Sequence, residues 1–256
     1  MKRLVLIFTL FCLMTGGAMA QEVGFFDHLA AGVTFGTAGV GVELAAPMGS
    51  HFQLRAGYAM VPPMSYNRTF SVPEHPGNVV TGSGANVDVD VKATSNISNA
   101  ELLVDFFPGD PGFFRLTAGA LYGPGNIVKV KNTTPLPSDY NTTGLGVDTA
   151  DNNYTVRAQN GYCDAYVGVN SIKPYVGIGF GSAVRPDRKF NITFDLGVAY
   201  WGKPGLYALG EPLIGDWEYV QVTPESLSGH DDGLLSKAEK VVVYPMMNLH
   251  LFFNLF

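Results

Sequence analysis

Apolar and polar residues alternate along eight stretches of this chain, and short turn-rich connections take turns with long polar ones between them. The clearest case is 100–122. Two arms, ELLVDFF at 101–107 and FRLTAGALY at 114–122, flank PGDPG at 108–112, whose residues break regular structure and supply turn geometry. A turn centred on Asp110 sets Asp105 opposite Arg115, on a face shared with Glu101, Thr117 and Gly119. The other face carries Leu102, Val104, Phe106, Phe114, Leu116 and Ala118, so one side is wholly apolar and the other holds charges that pair across strands.

The same two-residue period recurs along the rest of the chain. In 29–36, Leu29, Ala31, Val33 and Phe35 oppose Ala30, Gly32, Thr34 and Gly36. A two-residue turn at Thr37-Ala38 then sets Phe35 against Val40 and Val33 against Val42, which leads into 39–46 with Val40, Val42, Leu44 and Ala46 apolar. A turn at 47–50 centred on Gly49 sets Glu43 opposite Arg55 in the third strand, 51–60. Two successive hairpins thus each match an acid to an arginine on the polar face. Further strands are predicted over 175–182, 190–201 and 241–256, with Phe190, Ile192, Phe194, Leu196 and Val198 on one face and Asn191, Thr193 and Asp195 on the other. In the last strand Leu249, Leu251, Phe253 and Leu255 form the apolar set, so strict alternation turns Phe256 inward.

Connections after the second, fourth and sixth strands are short; those after the third, fifth and seventh are long and polar, about 61–96, 123–172 and 202–240. Within two of them, 87–91 (VDVDV) and 127–131 (IVKVK) alternate and suit an extension of the central hairpin with Asp and Lys face to face. Thr223 before Pro224 suggests a short helix running up to Lys240. A sandwich has no reason to alternate loop length so strictly. A membrane barrel does, with short periplasmic turns and long extracellular loops. The predicted fold is therefore all-β: an eight-stranded antiparallel up-and-down transmembrane barrel whose apolar face meets lipid and whose polar face fills the lumen.

Composition agrees. Charged residues are 15% of the chain, below the roughly 25% of soluble domains, and aromatics reach 12%. Residues 1–20 read as a secretory signal, with Lys2-Arg3, an apolar run and a small-residue cleavage site before Gln21; residues 21–256 then form one domain. Without Lys2 and Arg3 the charge is 14 − 22 = −8, which disfavours nucleic acid as a partner because phosphate binding needs clustered cations. Cys163 is then the one remaining thiol and leaves no disulfide framework.

Several motifs resemble the small outer-membrane β-barrels of Gram-negative bacteria, broadly the OmpA/OmpX/OmpW type: RAGY at 55–58, FRLTAG at 114–119, KPYVGIGFG at 173–181, FDLGVAYWGKP at 194–204, and Tyr244-Pro245 opening a last strand that ends in Phe256. The resemblance covers most strands and almost none of the loops. It implies residence in the outer membrane among lipid and lipopolysaccharide, insertion by the barrel-assembly machinery, and no assigned activity. An inward-turned Phe256 departs from that pattern, in which the terminal aromatic faces lipid; either a bulge shifts the end of the strand or the signal is read without that register.

The candidate site is the inward charge set: Glu43, Arg55, Glu101, Asp105, Arg115 and Asp195, with His250 near the end. A proton or ion path is one reading. A structural plug is the other, and it is preferred because side chains just fill an eight-stranded barrel and charges sealed inside must pair. Asp195, expected opposite Gly179, has no partner in this register. No catalytic group, cofactor or metal is expected. His28, His51 and His75 lack metal-ligand spacing, His250 has no serine at its alternate neighbours, and His230-Asp231-Asp232 sits among glycines as a solvated turn. The functional expectation is a non-enzymatic barrel with a structural or surface-interaction role; the alternatives are a narrow channel for small or apolar solutes and a lipid A-modifying or omptin-like enzyme.

Overall fold

The computed structural model describes residues 26–74, 86–109, 113–142, 154–212, 216–222 and 240–256. The signal segment, Asp110, His75, the helix expected after Thr223 and His230-Asp231-Asp232 lie outside the described residues.

Eight strands close a barrel: β1 (Ala30–Gly36), β2 (Gly39–Pro47), β3 (Phe52–Met60), β6 (Ser98–Phe106), β7 (Phe114–Tyr122), β11 (Ile172–Phe180), β12 (Phe190–Tyr200) and β15 (Val243–Asn254). Neighbours follow chain order, every pair is antiparallel, and β1 closes on β15. The eight predicted strands are these eight. Their parity holds as well: Val42, Leu102, Val176, Ile192 and Leu249 are exposed on the wall, while Thr34, Arg55, Asp105, Thr193 and His250 are buried inside. A wall of this kind is stable against acyl chains and costly against water. Ala46 is the exception. Expected outward, it is buried at the end of β2, beside the point where the Phe26 amide donates to the Pro47 carbonyl (3.1 Å).

Two registers differ from expectation by two residues. Arg55 lies opposite Ala45 rather than Glu43, and Asp105 opposite Thr117 rather than Arg115. A slip of two keeps every side chain on its face, so the period that fixes the face leaves the slip open. The first hairpin pairs Phe35 with Val40 and Val33 with Val42, as its two-residue turn requires. Gly179 faces Asp195, also as expected.

The long connections are largely a second sheet. Its strands are β4 (Ser65–Pro73), β5 (Asn86–Ser95), β8 (Asn126–Asn132), β10 (Asp164–Gly168), β13 (Gly205–Pro212) and β14 (Glu218–Gln221), with β9 (Tyr154–Val156) paired to β13. The order β13-β10-β8-β5-β4 repeats the order β12-β11-β7-β6-β3 of the barrel strands that lead into it. The breaks between the two tiers hold Pro62, Pro63, Pro124 and Pro204, which cannot donate to a ladder, and Gly202 at φ +82°. Backbone bonds stitch across these breaks, as from the Val61 amide to Ile97 (2.9 Å) and from the Asn170 amide to Trp201 (2.7 Å).

An extension of the central hairpin is therefore present, but its Asp and Lys do not face each other. Ala93 pairs with Val130 and Lys92 with Lys131, so Asp88 and Asp90 reach β4 instead, accepting from Ser71 (2.9 Å) and Thr69 (2.6 Å). Lys131 pairs with Asp164 on β10 at 3.2 Å. Phe256 also differs: β15 stops at Asn254, and Phe256 is 68% exposed rather than turned into the lumen. Its carbonyl accepts from the Leu29 amide (3.2 Å), which ties the chain end to β1.

Candidate functional site: the lumen

Each predicted lumen residue is buried inside the barrel: Glu43, Arg55, Glu101, Asp105, Arg115, Asp195 and His250. What the sequence had as two separate ion pairs is one network. Arg55 on β3 reaches Asp105 on the adjacent β6 (Nε to Oδ2, 2.8 Å), Glu43 on the adjacent β2 (Nη1 to Oε2, 3.5 Å), and Asp195 on β12 (Nη2 to Oδ2, 2.8 Å). Arg115 on β7 contacts Asp105 (3.4 Å) and Asp195, and donates to the Gly181 carbonyl. His250 on β15 lies between two acids, Nδ1 2.9 Å from Glu43 and Nε2 3.0 Å from Asp195.

Asp195 thus corrects the sequence reading. It is not partnerless; Arg55, Arg115 and His250 all converge on it. None of the three comes from the residue opposite it in register, so hairpin logic could not find them. Gly179 makes the convergence possible, because a Cβ there would collide with the Asp195 carboxylate and the Arg115 guanidinium.

Neutral side chains complete the set. Gln53 donates to Asp105 Oδ2 (3.0 Å) and Thr117 donates to Asp105 Oδ1 (2.7 Å). The Gln53 carbonyl oxygen accepts from Ser182 Oγ and the Val184 amide, both at 3.2 Å. Gln53 and Thr117 share the inward parity of Arg55 and Arg115, and that was their only signal. Lys173, also inward by parity and buried, donates to Asn99 Oδ1 (2.9 Å) nearer the long connections.

Apolar layers close both ends. Towards the long connections, Ala38, Ala59, Leu103, Leu121, Tyr175, Ala199 and Met246 form one buried cluster, with Tyr244 packed against it. Towards the short turns, Ala30, Ala45 and Phe252 pack with Ala183 and Val184 from the β11–β12 turn, which folds inward. The lumen is therefore layered: apolar, ionic, apolar. Glu43, Arg55, Asp105, Arg115, Asp195 and His250 hold one another in this setting, since an ion sealed from water is tolerated only with partners.

The outer rim carries Tyr58, Tyr122 and Tyr200, all exposed, at the strand ends, and Trp201 stacked on Tyr244 (5.0 Å) with its indole N–H donated to Val241. This is the aromatic band expected where a wall leaves hydrocarbon.

Two solved structures run a similar course. Acinetobacter baumannii CarO2 matches over 91% of this chain and 100% of that one, at 15% identity and a TM-score of 0.48. Acinetobacter baumannii CarO matches over 88% and 96%, at 17% identity and a TM-score of 0.43. No protein-family model and no curated protein matches the chain.

Proposed function

We propose that this chain is an integral outer-membrane barrel without enzymatic activity, whose lumen is a structural seal and whose role lies in the sheet held outside the membrane. The observation that carries this reading is the Arg55–Asp195 contact, 2.8 Å across the lumen between two apolar layers. A path for solutes would have to part that contact and displace Met246 on one side and Val184 on the other. An apolar wall with an aromatic rim supports residence among lipid and lipopolysaccharide, and a last strand of this type supports insertion by the barrel-assembly machinery. The non-enzymatic reading rests on His250: its ring is buried and both ring nitrogens face buried carboxylates.

Solute uptake by proteoliposomes tests the proposal. Liposomes carrying the protein should swell in arabinose or glycine no faster than empty ones. Swelling whose rate depends on solute size would restore the narrow-channel reading.

A further inference from the structure

We infer that the outer sheet carries a binding site for a pyranose sugar, built on Tyr166, Tyr207 and Tyr219. The inference rests on the reading above only in setting this sheet outside the membrane.

The sheet has two unlike faces. Leu206 and Ala208 of β13 point to a cluster with Ala165, Val156, Val220 and Val222, which is the sheet's own apolar core. The residue between them, Tyr207, points the other way. There it pairs across the ladder with Tyr166, the rings stacked at 5.0 Å and 11°, while Tyr219 meets Tyr166 edge-on at 5.0 Å and 64°. These rings are not needed to bury the core face, and Tyr219 remains 47% exposed.

At the foot of this face, beside the strand breaks, lies a cleft of about 600 Å³ lined by the three tyrosines with Asn126, Asn170 and Lys203. That volume falls within the roughly 300–1,000 Å³ of ligand sites. Gly168 lets the Tyr207 ring lie against the β10 backbone beside the cleft, since a Cβ there would collide with that ring. Asn126 is held in place by Asn96, which donates to its side-chain oxygen (2.9 Å).

Two rings at a steep angle make a corner, and the negative π-face of an aromatic ring attracts the C–H face of a sugar. The remaining walls are amides, an ammonium group and backbone, which suit hydroxyls and not a purely apolar ring. The same pyranose chemistry is available from lipopolysaccharide core sugars at the membrane surface and from soluble glycans outside.

The full chain in detergent micelles, probed with deacylated core oligosaccharide and separately with an array of soluble hexose oligosaccharides, tests this. At least one probe should bind, and Tyr219→Ala and Tyr207→Ala should each weaken it by about tenfold. Tyr122→Ala, on the barrel rim, should not. Heat-modifiable gel mobility verifies that each variant is folded, and Tyr219→Phe, which keeps the ring, should retain most of the binding; if the Tyr207 variant fails to fold, the Tyr219 pair alone decides. Binding of core oligosaccharide alone assigns the source to the membrane, and binding of soluble glycans alone to the surroundings. No binding by either probe, or binding unchanged in the Tyr219 variant, overturns the site. The proteoliposome result stands apart: swelling would remove the sealed lumen and leave this cleft untouched.

Discussion

Arg55 and Asp195 stand on diametrically opposed strands, β3 and β12, four steps apart around the barrel in either direction, and their side chains meet at 2.8 Å. The contact cross-braces the cylinder. Asp105 and Glu43 hold Arg55 from its own side, while Arg115 and His250 hold Asp195 from the other.

Removing the brace should be costly. Arg55→Leu leaves Asp105 and Asp195 each short of a cation in a dry interior, a loss of about 3–5 kcal/mol. Arg55→Lys should recover little of it, because one ammonium cannot span three carboxylates with the fork of a guanidinium. The temperature at which the heat-modifiable band unfolds measures both variants. A change within error for Arg55→Leu would mean that the network contributes nothing to stability.

Phe252 is fully buried at the turn end, against Ala183 and Val184. Phe252→Ala should cost about 3–5 kcal/mol through lost burial and the cavity it leaves. It should nevertheless admit no solute, because the ionic layer above it is intact. Thermal unfolding and liposome swelling on the same sample separate these two effects.

The outer wall is testable by charge. Leu102, 56% exposed, sits on the wall of β6. In a protein surrounded by water, Leu102→Arg would change stability little. In a bilayer it should cost about 2–4 kcal/mol near the midplane. Folding titrations into lipid vesicles give the difference directly, and a near-zero value would put that face in water.

Cys163 lies outside the barrel wall, at the start of β10, and burial followed by the nearby Asp164 charge pushes its thiol up to about 11. The thiol form is favoured by folding, so the stability it lends is present below the ordinary thiol range and is lost as pH rises towards 11. Maleimide labelling of the folded protein should therefore keep accelerating well past pH 9. A plateau near pH 8.5 would show an ordinary exposed thiol.

Much of this was legible in the chain, and the divide is physical. Period-two alternation fixes which face a residue takes, so the wall and the inward set Glu43, Arg55, Glu101, Asp105, Arg115, Asp195 and His250 could be read from parity alone. Register depends on turn geometry, and longer turns absorb a two-residue slip unseen; hence Arg55 opposite Ala45. The cross-brace was invisible because Asp195 and Arg55 are not near in sequence and their strands are not neighbours. The outer sheet was partly readable: β4 alternates Tyr66, Arg68, Phe70 and Val72 with Ser65, Asn67, Thr69 and Ser71. Its polar composition masked that signal, since a strand without a strongly buried face reads as loop.

Electrical recording in planar lipid bilayers tests the sealed lumen most directly. Reconstituted wild-type protein should give no discrete steps above leak, because ions cannot pass Arg55–Asp195 and the two apolar layers. Reproducible unitary steps from the folded, wild-type chain would contradict the account.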